Sequence, residues 1–133
     1  MPDASPPAAV PGAAARWTPP VLWTALVLVG TSWPSIKLGP DGLPLDKLAH
    51  FTAYGVLAAL SLRATLTPRR VATVLTVLVW VSVLGAVDEW HQSFIPGRSM
   101  SFADWIADTA GATLGVLAVR WIPFLNSHRR PHS

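Results

Sequence analysis

The 133-residue chain has no cysteine, one tyrosine and two methionines, and only 13% of its residues are charged. The missing cysteine excludes a disulfide framework, a thiolate zinc site and a cysteine nucleophile. Soluble domains carry roughly a quarter charged residues, so this chain is too poor in charge for that class. Neither an HExxH nor a GxSxG motif occurs, and no residue stands out as a dedicated nucleophile. The formal charge is +3, but the basic residues are scattered among segment ends. No basic patch with interleaved aromatics and no nucleic-acid motif is present, so no nucleic-acid partner is expected.

What the chain has instead is apolar sequence, 51% of its residues. Residues 1–16 are rich in Pro and Ala, lack a hydrophobic period and read as a disordered tail. Four hydrophobic segments follow, at about 17–33, 45–66, 71–92 and 101–125, and a basic tail closes the chain at 126–133. Pro19 and Pro20 suit a helix start. Trp33-Pro34-Ser35-Ile36 is not a small-x-small cleavage site, so the first segment reads as an uncleaved helix. A crossing helix needs about 20 mostly apolar residues. The third segment meets this cleanly, the first is short, and the second and fourth need their polar ends at the interface or inside a bundle. The fold expected is all-α, a four-helix transmembrane bundle with a disordered N-terminal tail.

Four crossings put both termini on the same side as the turn around Pro68. That side holds Arg16, Arg63, Arg69, Arg70, Arg120, Arg129 and Arg130, against Lys37, Lys47 and Arg98 on the other. Positive charge favours the cytoplasm, which predicts cytoplasmic termini in a bacterial inner membrane. All the acids except Asp3 then gather outside. Trp33, Trp90 and Trp105 fall near the outer boundary and Trp17 and Trp121 near the inner one, as an aromatic belt expects.

Ionisable groups are costly in a bilayer and mark candidate sites. Asp46, His50 and Tyr54 recur at i, i+4, i+8 on the second helix, with Lys47 beside them. Asp88, His91 and Gln92 share a face of the third, and Glu89 is expected about one helical step of 100° away. Asp104 and Asp108 lie one turn apart on the fourth, Asp108 about 6 Å deeper. Their face continues through Gly111 and Gly115, a GxxxG pair suited to close helix packing. Between the third and fourth helices, Pro96-Gly97 is a turn signal. Ser101 with Asp104 resembles a capping box. Arg98 overhangs the acids, placed to pair with Asp88 or Asp104 or to grip a phosphate or carboxylate.

In order, Asp46-Lys47-Leu48-Ala49-His50-Phe51 with Tyr54, Asp88-Glu89-Trp90-His91-Gln92-Ser93-Phe94, Pro96-Gly97-Arg98 and Asp104-Trp105-Ile106-Ala107-Asp108-Thr109-Ala110-Gly111-Ala112 resemble the VanZ-like membrane proteins. The resemblance spans about residues 45–118. Where many members carry Asn, this chain has Asp108, an added negative charge. The resemblance implies a small multi-pass bacterial membrane protein, and the family's namesake is linked to resistance to the glycopeptide teicoplanin. It supplies no established catalytic residues.

Three functions are therefore weighed. An envelope accessory protein would bind a cell-wall precursor, lipid head group or glycopeptide at its outer acid cluster. An intramembrane enzyme on a lipid-linked substrate would use the carboxylates and histidines for acid–base chemistry or to hold a divalent cation. A proton-coupled transporter would need a charged path, yet from Val56 to Leu62, Val71 to Val87 and Gly111 to Val119 the only polar side chains are Ser and Thr. The accessory reading is preferred, with the bilayer as the one required partner and no cofactor required by the sequence.

Overall fold

A computed structural model describes residues 11–34 and 45–122. The first ten tail residues, Lys37 and the basic tail at 126–133 lie outside them. The described residues form four α-helices and no strand: α1 (Ala13–Thr31), α2 (Leu45–Ala64), α3 (Val71–Gln92) and α4 (Phe102–Trp121). The second and third segments match the expected bounds closely.

The first does not. α1 starts at Ala13, inside the stretch read as tail, and Pro19 and Pro20 lie within the helix rather than at its start. Ala13-Ala14-Ala15 has no hydrophobic period but the highest intrinsic helix propensity, enough to extend the helix backwards. The helix ends at Thr31, capped by Ser32, so Trp33 lies beyond it.

α2 and α4 make the most extensive helix pairing. The GxxxG pair explains it. A Cβ at Gly111 would overlap the Phe51 carbonyl, and one at Gly115 the Gly55 carbonyl. Only hydrogen at those Cα atoms lets the two backbones meet. Around this seam α2 contributes Tyr54, Leu57, Ala58 and Leu62, α3 contributes Val74, Val77 and Val81, and α4 contributes Ala112, Val116 and Val119. α1 packs on the outside through Trp23 and Val27, and the Trp23 indole donates to the Ala53 carbonyl at 2.8 Å.

Polarity is distributed inside out. His50, Asp88, Glu89, Gln92 and Asp108 are buried, while Val21, Leu22, Leu26, Leu75, Val79, Trp80 and Leu114 are exposed. α3 and α4 are long and apolar enough to cross a membrane. α2 is diluted by Asp46, Lys47, His50 and Arg63, and α1 by Arg16, its two prolines and its threonines.

Candidate functional site

The start of α2, the end of α3 and the start of α4 converge, and their polar side chains form two linked groups. In the first, Asp88 is only 1% exposed and is saturated with donors. Thr31 Oγ1 of α1 donates to Oδ1 at 2.7 Å. Tyr54 Oη and Gln92 Nε2 donate to Oδ2 at 3.0 and 3.2 Å. Both oxygens of this buried carboxylate therefore have hydrogen-bond partners, as a buried polar group requires. This group ties α1, α2 and α3 together and uses Tyr54 and Gln92 as structural partners.

The second group centres on His50. Its Nδ1 lies 3.0 Å from Asp108 Oδ1 and 3.8 Å from Glu89 Oε1. Asp108, one turn deeper than Asp104, thus pairs with the histidine. Asp108 fits because Gly85 leaves room: a Cβ there would come within 2.9 Å of Asp108 Oδ2. At the rim, Lys47 Nζ bridges Asp104 Oδ1 at 2.9 Å and Asp46 Oδ2 at 3.2 Å.

Three expectations are corrected. Glu89 is buried and His91 exposed, the reverse of the expected faces. The buried stripe of α3 runs through Val74, Val77, Val81 and Gly85. Measured from Gly85 at about 100° per residue, Glu89 is about 40° away and His91 about 120°. Taking Asp88 rather than Gly85 as the centre of the face led to the wrong pairing. Asp46 does not join the buried cluster; its side chain is 58% exposed and pairs with Lys47. Arg98 pairs with neither Asp88 nor Asp104 among the described residues. Its Nη1 donates to the Thr31 carbonyl at 3.1 Å, where the last turn of α1 has unsatisfied carbonyls that attract a cation.

Sequence reasoning also missed two contacts. Ser101 Oγ accepts the Asp104 N–H at 3.2 Å, as a capping box requires. The reciprocal bond, to the Ser101 N–H, comes not from Asp104 but from Glu89 Oε2 of α3, at 2.7 Å. Trp105, read as a belt residue, is half-buried and donates its indole N–H to the Ser82 carbonyl at 3.0 Å. Gly97 behaves as its turn signal suggests, with φ of 80°.

The assembled site can hold charge, relay a proton between His50 and a carboxylate, or offer nitrogen and oxygen ligands to a cation. No match is found among curated proteins or solved structures. The model of the VanZ/LLP1 family matches residues 10–123, most of the chain, which therefore belongs to that family.

Proposed function

We propose that this chain is a multi-pass membrane protein of the bacterial cell envelope, an accessory factor in glycopeptide resistance or envelope homeostasis. Its polar site at the outer face would receive a cell-wall precursor, a lipid head group or the glycopeptide itself. The observation that carries this reading is the inside-out distribution of polarity. Asp88, Glu89 and Asp108 are at most 2% exposed, whereas large apolar side chains such as Val21 and Leu22 of α1, Val79 and Trp80 of α3 and Leu114 of α4 face outward. A soluble monomer rarely exposes so much contiguous apolar surface. In lipid the same arrangement is the stable one, and buried ionisable groups are the default functional candidates. Family membership and the two crossing-length helices support the same reading.

The convergence of Glu89, His50, Asp104 and Lys47 at one end of the bundle supports a recognition site there. Seven basic residues on one side against three on the other support an outer location for it. The test is teicoplanin susceptibility of cells expressing the wild-type chain or Glu89→Gln at matched membrane abundance. The wild type is expected to protect and the variant not, because the change removes a charge with little change of shape. Absence of protection by the wild type would overturn the resistance reading. Equal protection by both would remove Glu89 from it.

A further inference from the structure

Two carboxylate oxygens in the polar core have no hydrogen-bond partner among the described residues, Glu89 Oε1 and Asp108 Oδ2. Glu89 is 2% exposed and Asp108 0%. Buried polar atoms are rarely left unpaired, and each orphan needs a reason. Asp88, one residue from Glu89, shows the contrast, with both its oxygens engaged by donors.

The two orphans have different surroundings. Asp108 Oδ2 rests in the hollow beside Gly85. Glu89 Oε1 instead points towards His50 Nδ1 at 3.8 Å, too far for a hydrogen bond. Asp104 completes a triangle: one ligand-type atom each from His50, Glu89 and Asp104 lie within 4.8 Å of one another.

We propose that His50, Glu89 and Asp104 form a binding site for a divalent transition-metal cation, with Asp108 orienting the imidazole. The proposal goes beyond the envelope reading and does not depend on it. One imidazole nitrogen with two carboxylate oxygens suits Zn2+, Mn2+ or Fe2+ better than the all-oxygen sites of Mg2+ and Ca2+. Zinc at about 2.0–2.2 Å from tetrahedral ligands sets those ligands about 3.3–3.6 Å apart, so a contraction of roughly 1 Å closes the site.

The surrounding bonds hold the ligands in place. Glu89 Oε2 is fixed by the Ser101 N–H, which leaves Oε1 as the free arm. Asp104 Oδ1 is held by Lys47. Asp108 Oδ1 at 3.0 Å from His50 Nδ1 provides the carboxylate–imidazole contact that accompanies metal-bound histidines, and Nε2 is then the nitrogen left to ligate the cation. The Asp104 side chain is 13% exposed, so the triangle reaches the surface at that corner.

The test uses the full chain, purified in detergent without a polyhistidine tag and stripped with EDTA. Zn2+ or Mn2+ is added, unbound metal is removed, and bound metal is measured by mass spectrometry alongside the melting temperature. Because His128 and His132 offer an unrelated ligand pair, a His128→Ala, His132→Ala variant is measured in parallel. Roughly one ion per chain is expected in the wild type and in the tail variant, with a raised melting temperature that EDTA reverses. Glu89→Gln and Asp104→Asn are expected to bind at least about tenfold more weakly. If Glu89→Gln aggregates, Asp104→Asn at the rim decides. No binding or thermal shift in the wild type, full binding in Asp104→Asn, or loss of binding in the tail variant would each overturn the proposal. Teicoplanin protection is a separate readout, so either proposal can fail while the other stands.

Discussion

Glu89 of α3 accepts the Ser101 backbone N–H at 2.7 Å, so the N-terminal cap of α4 is completed by a different helix. Asp104, the local candidate for that bond, is engaged by Lys47 instead. One side chain therefore anchors α4 with one oxygen and presents the other to His50.

The consequence is a split between two substitutions at this position. Glu89→Ala leaves the Ser101 N–H without its acceptor, at a cost of about 1–3 kcal/mol. Amide hydrogen exchange from Ser101 to Trp105 should accelerate. Glu89→Gln keeps an acceptor oxygen and should retain most of the protection. Equal acceleration in both would mean that charge rather than the bond holds the cap.

Close helix approach makes the second prediction. Gly111→Ala or Gly115→Ala would drive a methyl group into a carbonyl of α2. Overpacking costs typically 1–3 kcal/mol, and a backbone obstacle puts these changes at or above the upper end, about 3 kcal/mol. Gly30→Ala meets nothing within 4 Å. Thermal unfolding in detergent should separate the pair from this control by many degrees. A Gly111→Ala protein as stable as Gly30→Ala would contradict the α2–α4 seam.

The Asp88 network supplies a third. Tyr54→Phe removes one of three donors and should cost about 0.5–1.5 kcal/mol, as for a typical intramolecular hydrogen bond. Asp88→Ala removes the shared acceptor and strands the Tyr54, Gln92 and Thr31 donors, costing about 3 kcal/mol or more. Groups acting through one acceptor are not additive. Tyr54→Phe made on an Asp88→Ala background should therefore cost clearly less than on the wild type. Strict additivity would mean that the Tyr54–Asp88 bond contributes no net stability.

These interactions differ in how far they could be read from the sequence. α3 is legible because an apolar run, Val71 to Val87, begins directly after Arg70 and continues into a polar last turn. The alignment of Asp104 and Asp108 with Gly111 and Gly115 correctly pointed the aspartates at protein, because one helical face carries all four. Periodicity failed where a face was counted from the wrong centre. Val77, Val81 and Gly85 fix the stripe that buries Glu89, and the polar residues alone do not. Arg98 was beyond local reasoning, because its partner is the end of α1, 67 positions away in sequence. The start of α1 is not legible from hydrophobic period, because Ala13, Ala14 and Ala15 signal a helix by propensity alone.

Orientation can be tested without a background, because the chain has no cysteine of its own. Cysteines at Ser99 and Thr67 mark opposite ends of the bundle. Ser99 sits in the exposed turn after α3 and Thr67 in the exposed turn before it, and α3 is long enough to separate them across a membrane. The excess of arginine beside Thr67 is the basis for expecting that turn in the cytoplasm. A membrane-impermeant thiol reagent should label Ser99→Cys in intact cells and reach Thr67→Cys only after lysis. The opposite pattern would turn Glu89, His50 and Asp104 towards the cytoplasm. An outer-face ligand such as a glycopeptide would then be out of reach, whereas the cation site, which depends only on how three helices converge, would be unaffected.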